Sequence, residues 1–310
     1  MNLKELLCSL PFEIERSVCF RINSKLKRHP SSEPFLSGDT FKKLCAFSAD
    51  SDKTFESLKQ NAADICANSR IFICSSYLER FQNEILPLLK NPFILVSHNS
   101  DKNIGDEFSK IVNSPLLVKW FVQNCNFKSQ PGNKIVPLPI GLENQCFHNA
   151  GNIKSFKKLI SLIKKGKIQK KPKVLVALNI ATNPDERFAC YRAFWKKQVT
   201  LEMTSFISSE NYRKIAAECM FIASPSGNGL DCHRTWEAMY LGVVPLVNDN
   251  EMNRAFVKLG LPMICVKDWS DFASKTAEEL ENIYKSTMEK ADTSALWFDF
   301  WKKQINEAAK

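Results

Sequence analysis

The residues best suited to chemistry lie within 224–237, where two glycines, an arginine and a glutamate occur close together. Gly227 and Gly229 permit a tight turn and a close approach of the backbone to a ligand. Arg234 carries a planar guanidinium, which can bind a diphosphate through two parallel hydrogen bonds. Glu237 lies three residues further on, so on a helix it shares a face with Arg234 and can accept both hydroxyls of a ribose. The stretch therefore predicts a site for an anion joined to a polyol.

The surrounding elements place this stretch after a strand. Residues 221–223 are an apolar strand, a helix begins near Asp231, and a buried strand follows at 243–247. In such a βαβ unit the amides at the helix N-terminus present partial positive charge to phosphates. The predicted ligand-binding residues here are Ser226, Gly227, Asn228, Gly229, Asp231, His233, Arg234 and Glu237. In a purely structural interpretation Asp231 caps the helix and Arg234 pairs with Glu237, but the convergence of polar residues at one strand end favours the ligand site.

Three further residues are candidates for a general base. His98 and Asp101 follow a predicted strand at 93–97, and Glu143 follows a shorter one at 134–137. Ligands in open α/β sheets bind at such carboxyl ends. A neutral histidine has a suitable pKa without tuning, whereas partial burial can raise the pKa of a carboxylate toward that range. The alternatives stay open that His98 is structural and that Asp101 caps a turn.

Arg187 is the remaining candidate for the ligand site. It follows a predicted strand at 174–178, together with Asn179 and Asn183. This position faces the cleft that we expect between the two halves of the chain. Its guanidinium could add positive charge for a departing phosphate. In the alternative interpretation, Arg187 is an ordinary residue in the first turn of a helix.

A resemblance to a known family rests on these motifs. The donor-site segment of exostosin-like glycosyltransferases is similar to Ser224-Pro-x-Gly-Asn-Gly-Leu-Asp-Cys-His-Arg-Thr-Trp-Glu-Ala-Met-Tyr-Leu-Gly-Val-Val-Pro-Leu-Val. The N-terminal half of exostosin-like proteins from bacteria and viruses resembles Ser97-His-Asn-Ser-Asp101, Trp120-Phe-x-Gln-Asn124 and Pro137-Leu-Pro-Ile-Gly-Leu-Glu-Asn144. Together these segments span the larger part of the chain.

The resemblance implies a GT-B glycosyltransferase, with two Rossmann-like α/β domains facing a cleft and a C-terminal helix closing the chain. It implies a nucleotide-sugar donor on segment 221–247 and a glycan or lipid-linked acceptor, as in polysaccharide biosynthesis. We expect an inverting transfer of a hexosyl or pentosyl group, with neither a cofactor nor a metal. Two alternatives stay open: a non-catalytic nucleotide- or glycan-binding protein on the same fold, and a metal-dependent transferase using Asp50 and Asp52 of a DxD triplet.

The amino-acid composition limits which other functions the chain can have. The chain is 44% hydrophobic and 25% charged, as in ordinary globular proteins, and has a net charge of +10. This charge favours an anionic partner, but no basic run is interleaved with aromatics, so nucleic acid is not expected. Eleven cysteines without a CxxC pair argue against a disulfide framework and a zinc site. Residues 1–20 resemble neither a signal peptide nor an anchor. We therefore expect a cytoplasmic protein, which its charge could hold at an anionic membrane.

Alternating strands and helices predict parallel sheets in both halves. The lysine-rich stretch that ends at Pro172 indicates a domain boundary near residue 168, giving an acceptor-side domain at 1–167 and a nucleotide-sugar-binding domain at 168–310. Helices are expected at 77–90, 115–124, 187–197, 209–217, 271–290 and 295–309.

Overall fold

The computed structural model describes residue 18 and residues 21–22, 30–128, 133–147, 151–203 and 207–310. Its strands form two five-stranded parallel sheets, which confirms the predicted α/β class. The first sheet contains β1 (Phe47–Ala49), β2 (Ser69–Cys74), β3 (Phe93–His98), β4 (Leu117–Val122) and β5 (Ile135–Pro137). The second contains β6 (Lys171–Val176), β7 (Thr200–Glu202), β8 (Cys219–Ala223), β9 (Val244–Asn248) and β10 (Ile264–Val266).

The first sheet has the order β1-β2-β3-β4-β5, so each strand lies beside its predecessor in the chain. Strand β3 is buried along its whole length, with Val96 opposite Phe72 of β2 and Phe121 of β4. Asn99 and Asn124 follow β3 and β4 with φ values of 61° and 53°, in the left-handed region that asparagine tolerates better than most residues. These two turns leave the carboxyl ends of the strands at one edge of the sheet.

The second sheet has the order β10-β9-β8-β6-β7. The chain leaves β6 to form β7 on one side and then crosses to β8 on the other side. This reversal creates a topological switch point between β6 and β8, where a crevice opens outside the carboxyl ends of the two strands. The loops that follow β6 and β8 therefore meet at the place where an open α/β sheet binds its ligand.

Helices connect and cover the strands. The α-helices are α1 (Gly38–Lys42), α2 (Asp52–Gln60), α3 (Leu78–Arg80), α4 (Ser109–Val112), α5 (Ile153–Lys164), α6 (Pro184–Phe194), α7 (Ser209–Ala217), α8 (His233–Tyr240), α9 (Glu251–Lys258), α10 (Trp269–Ala273), α11 (Ala277–Glu289) and α12 (Phe298–Glu307). Helix α7 has the predicted bounds, because Ser208 caps its first turn by accepting from the amide of Asn211.

One helix prediction was wrong, and another predicted helix is less regular than expected. Residues 115–124 contain strand β4, because a short apolar run rich in Val, Trp and Phe suits a buried central strand and has no reliable helical period. Residues 77–90 do not form one regular helix: α3 continues into a π-helical turn, Phe81–Ile85, and a 3-10 turn, Leu86–Leu88, that contains Pro87. Proline lacks the amide that would continue the helical ladder.

The hydrophobic core extends through both halves of the chain. One cluster of buried side chains includes β3 and β4 of the first sheet as well as Trp236 and Tyr240 of α8. The C-terminal segment crosses back to the first half, where the amide of Phe298 donates to the carbonyl of Pro34 at 3.0 Å. The predicted boundary at residue 168 falls between the two sheets and stays a prediction. No helix within the described ranges has the length and apolar character needed to cross a membrane.

Candidate functional site

A cavity of about 210 Å³ opens at the carboxyl ends of the strands and is lined by both halves of the chain. The first half contributes Asp101 and Ile140. The second half contributes Thr182, Arg187, Gly227, Asn228, Gly229, Asp231, Cys232, His233 and Arg234. Most of the residues predicted for the donor site therefore meet at one place. Ser226, Glu237, His98 and Glu143, all within the described ranges, lie outside this lining.

The loop between β8 and α8 is fixed to the first half by side-chain hydrogen bonds. Asn228 Nδ2 donates to Asp101 Oδ2 at 3.1 Å, and the amide of Leu230 donates to Asn103 Oδ1 at 3.0 Å. The amide of Asp231 donates to Asn124 Oδ1 at 2.9 Å. The conformation of the loop is thus set by residues more than a hundred positions away in the sequence.

Asp231 is a buried structural acceptor in this network rather than a cap of α8 or an open ligand. Its carboxylate accepts the amide of Ile140 at 2.8 Å, the amide of Cys232 at 2.8 Å and the indole N–H of Trp236 at 2.8 and 2.9 Å. Burial is the largest influence on its pKa, which rises from 3.8 to about 6 although these hydrogen bonds oppose the shift.

Arg187 ties together the two loops that meet at the switch point. Its Nε donates to the carbonyl of Ser226 at 3.2 Å and its Nη1 to the carbonyl of Asn179 at 2.9 Å. Burial, followed by the charge of nearby Arg234, lowers the pKa of Arg187. A Cβ added to Gly227 would lie 2.5 Å from Arg187 Nη2. Gly227 therefore makes room for this side chain, whereas the sequence had predicted room for a ligand.

Gly229 and Ser226 also have structural explanations. A Cβ at Gly229 would lie 2.5 Å from Asn124 Nδ2, so the glycine permits the contact between the two halves of the chain. Ser226 Oγ donates to the carbonyl of Leu230 at 3.1 Å and shapes the turn. Gly229 and Ser226 therefore position the loop. Gly229 also lines the cavity, together with Asn228.

Arg234 differs from its neighbours because part of its guanidinium is buried without a well-formed hydrogen bond. Among the residues that the structure describes, neither Nε nor Nη1 meets the geometry of a hydrogen bond. The buried hydroxyl of Tyr212 forms none either, but it lies close enough to Arg234 for the two side chains to interact electrostatically. Arg234 and Glu237 form no ion pair within the described residues, so the pairing expected in the structural interpretation is not found. Leaving charged donors unpaired costs free energy, and an anion in the adjoining cavity would remove that cost.

Glu237 lies on the same helix, one turn beyond Arg234, and is half-buried. Burial raises its pKa, against the opposing charges of Arg213 and then His233. Arg213 is buried on α7 and stacks on the ring of Phe156 at 4.6 Å. No pattern in the sequence marked Tyr212 or Arg213, since both lie on a helix without glycine or motif context.

His233 opens α8 and lines the cavity. Its Nδ1 lies 2.8 Å from the carbonyl oxygen of Gly141, and a carbonyl can only accept, so Nδ1 carries the proton. The other ring nitrogen, Nε2, forms no hydrogen bond within the described ranges and is therefore left for a ligand. The Gly141 loop thus orients a histidine from the opposite half of the chain.

The structure separates the three candidate bases. His98 is 2% exposed, Nε2 donates to the carbonyl of Pro139 at 3.0 Å, and Nδ1 accepts the amide of Asn99 at 2.7 Å. Burial lowers the pKa of His98 from 6.5 to about 4. Asp101 is exposed and lines the cavity, whereas Glu143 is half-buried beyond the lining. The geometry therefore gives His98 a structural role and leaves Asp101 as the accessible carboxylate.

The two aspartates of the DxD triplet form ion pairs with other side chains. Asp50 forms an ion pair with Lys42 and accepts from Thr54 Oγ1 at 3.1 Å, while Asp52 pairs with Arg80 at 3.0 Å. Each carboxylate thus pairs with a different cationic side chain. Within the described ranges, no group of three or more histidine, cysteine or acidic side chains is placed to hold a metal ion.

Two parallel-sheet α/β halves around a shared cavity confirm the predicted fold class of two α/β domains facing a cleft. Residues 166–309 match the family model of the RXYLT1 C-terminal domain. This part of the chain is similar to that family, and the resemblance to exostosin-like glycosyltransferases seen in segment 224–247 is confirmed. The match supports glycosyltransferase activity in general. No curated protein sequence matches the chain.

Solved structures of glycosyltransferases share the arrangement distantly. AviGT4, a glycosyltransferase involved in avilamycin A biosynthesis, is 10% identical, with 82% of this chain and 76% of that chain covered and a TM-score of 0.40. The spinosyn rhamnosyltransferase SpnG, complexed with thymidine diphosphate, is 12% identical, with 96% and 78% covered and a TM-score of 0.35. At these TM-scores the likeness carries no argument about the site.

Proposed function

We propose that this protein transfers a sugar from a nucleotide-sugar to an acceptor hydroxyl, with the diphosphate held at the N-terminus of α8. The observation that carries this proposal is the guanidinium of Arg234, whose Nε and Nη1 are buried beside the cavity without a partner within the described ranges. A diphosphate oxygen would satisfy both donors. It would also lie in the positive field of a helix N-terminus.

The other polar groups divide between the diphosphate and the ribose. Asn228 and Gly229 border the same cavity as Arg234 and would contact the phosphates. His233 borders the cavity with Nε2 available and would contact the donor there. Glu237 would accept the ribose hydroxyls, as acidic residues do in other nucleotide sites. Arg187 would act mainly by holding the loops and by adding positive charge.

The chemical step needs a base for the acceptor and charge stabilisation for the leaving group. Asp101 would take the proton of the acceptor hydroxyl. The acceptor oxygen would then form a bond to the anomeric carbon while the bond from that carbon to the diphosphate oxygen breaks. The electron pair would leave on the nucleoside diphosphate, where Arg234 and the amides of α8 stabilise it. Attack opposite the leaving group would invert the anomeric centre.

Cationic side chains and helix amides would here neutralise the diphosphate in place of a divalent metal. The acceptor would enter from the first half, a glycan or a lipid-linked glycan being the two classes that the resemblance implies. The group transferred would be hexosyl or pentosyl.

A thermal-shift panel of nucleoside diphosphates and nucleotide-sugars, with and without a divalent metal, tests the proposal. A ligand present at about a hundred times its Kd stabilises the folded state by about 2.7 kcal/mol, which gives a clear rise in Tm. We expect one nucleotide to raise Tm, its diphosphate and sugar forms to act alike, and chelator to change nothing. No shift with any nucleotide would overturn the proposal. Binding without hydrolysis or transfer would instead indicate the non-catalytic alternative.

A further inference from the structure

The outer end of α6 exposes two aromatic side chains on one face. Phe188 is 50% exposed and Trp195, which ends the helix, is 51% exposed. They are seven residues apart, so they lie two turns from each other on the same side of the helix. The guanidinium of Arg192 lies 5.7 Å from the Phe188 ring, and Lys196 Nζ lies 4.5 Å from the Trp195 ring.

Exposed large hydrophobic side chains are concentrated in this part of the molecule. Eight large hydrophobic residues are exposed among those that the structure describes, and Phe188, Trp195 and Leu201 fall within one short stretch of them. Leu201 belongs to β7, the edge strand of the second sheet. The remaining tryptophans, at 120, 236, 269, 297 and 301, are buried or half-buried. The stretch therefore departs from the pattern by which this fold covers its large apolar side chains.

The charges between residues 187 and 201 are all cationic. This stretch contains two arginines and two lysines but neither aspartate nor glutamate, while Asp185 and Glu186 precede it in the first turn of α6 and Glu202 follows it. A further lysine approaches from β6, since Lys173 Nζ donates to the carbonyl of Gln198. Arg187 is buried in the site, so the charges that face solvent are those of Arg192, Lys196 and Lys197. Exposed aromatics surrounded by cations complement a surface that is both anionic and partly apolar.

We propose that the aromatic-basic surface formed by Phe188, Arg192, Trp195, Lys196 and Lys197 binds an anionic lipid membrane. Phe188 and Trp195 would insert at the level of the headgroups, where tryptophan partitions favourably. The three cations would contact acidic headgroups. Arg187 borders the cavity on the same helix, one residue before Phe188 and eight before Trp195, so the cavity would lie close to the bilayer contact. This binding does not depend on the proposed transfer reaction.

Vesicle binding tests the proposal directly. Cosedimentation would compare vesicles of phosphatidylcholine with vesicles that also contain phosphatidylserine. Trp195 is the one largely exposed tryptophan of the described chain, so its emission should shift to the blue when the full-length protein binds. We expect binding to the phosphatidylserine vesicles alone, weakening as salt is raised. Absence of binding at low salt would overturn the proposal.

Matched variants locate the contact. Each cation near an anionic surface contributes about fivefold in affinity, so Lys196→Glu with Lys197→Glu should weaken binding by more than about tenfold. Phe188→Ala with Trp195→Ala should do the same, measured by cosedimentation. Lys302→Glu with Lys303→Glu, which makes the same charge change on exposed residues of α12, should bind nearly as the unaltered protein. Equal losses in both lysine pairs, or equal retention on heparin and on vesicles, would show a non-specific polyanion effect and overturn the proposal.

Discussion

The carboxylate of Asp231 accepts the backbone amide of Ile140 at 2.8 Å, although 91 residues separate them in the sequence. With Asn124, Asn103 and Asp101, this contact fixes the loop that precedes α8. The candidate donor site is therefore not a property of the βαβ unit alone. It takes its form from the contact between the two halves of the chain.

Two buried groups in this contact should make opposing contributions to the pH dependence of stability. Burial raises the pKa of Asp231 from 3.8 to about 6, so between these values the folded state binds more protons than the unfolded state. The Asp231 contribution to the free energy of unfolding therefore falls as pH rises through this window. Burial lowers the pKa of His98 from 6.5 to about 4, so here the unfolded state binds more protons and the contribution rises with pH over nearly the same window.

Single substitutions should separate the pH dependence of stability that is due to Asp231 from that due to His98. In Asp231→Asn the His98 contribution is no longer offset, so the free energy of unfolding should rise more steeply from pH 4 to 6 than in the unaltered protein. In His98→Gln it should rise less steeply or fall. Urea unfolding at a series of pH values measures both. Parallel pH profiles for the three proteins would contradict this account of the two pKa values.

Gly229→Ala should loosen the contact between the halves. The added Cβ would lie 2.5 Å from Asn124 Nδ2, and the Asn124 side chain is held by Ser100 and Asp231. Overpacking of this kind costs about 1–3 kcal/mol, which would appear as a lower urea midpoint. In an Asn124→Ala background the same change should cost much less, since the obstructing amide is gone. Additive losses in the double variant would argue against the contact.

Asp101→Asn should reduce turnover while leaving donor affinity nearly unchanged. The variant keeps the shape of the side chain and an oxygen for Asn228, but it loses the base, and a general base contributes about a hundredfold to ten-thousandfold. Steady-state kinetics with the nucleotide-sugar found in the binding panel would give kcat, and calorimetric titration with its nucleoside diphosphate would give Kd. Glu143→Gln is the matched control, because that carboxylate lies outside the cavity lining. A large loss in Glu143→Gln with none in Asp101→Asn would reassign the base.

Much of the fold was predictable, because strands and capped helices carry local signals. Helix α7 matched its predicted bounds, and the alternation of strands and helices indicated parallel sheets. Strand β4 was mistaken for a helix because a short apolar run has no distinctive period. The first strand was missed, since Phe47–Ala49 is only three residues long.

The site was predictable in its location but not in its division of roles. The motif around Arg234 pointed to the correct strand end. The pairing of Gly227 with Arg187, and of Gly229 with Asn124, depends on distant parts of the chain and leaves no trace in local spacing. His98 had the residue type of a base, but its burial is a tertiary property. Asn124 was within reach of the sequence, since it ends the quoted Trp120 motif.

We propose that Nε and Nη1 of the Arg234 guanidinium bind a diphosphate, and calorimetric titration tests this most directly. The tightest-binding nucleoside diphosphate of the panel would be titrated into the unaltered protein, Arg234→Ala and Arg254→Ala, the last removing an exposed arginine that pairs with Asp249 outside the cavity. Hydrogen bonds to a charged group contribute about 1.5–3 kcal/mol, so Arg234→Ala should raise Kd at least about tenfold. Arg254→Ala should leave Kd unchanged. Equal Kd values for the unaltered protein and Arg234→Ala would contradict the account.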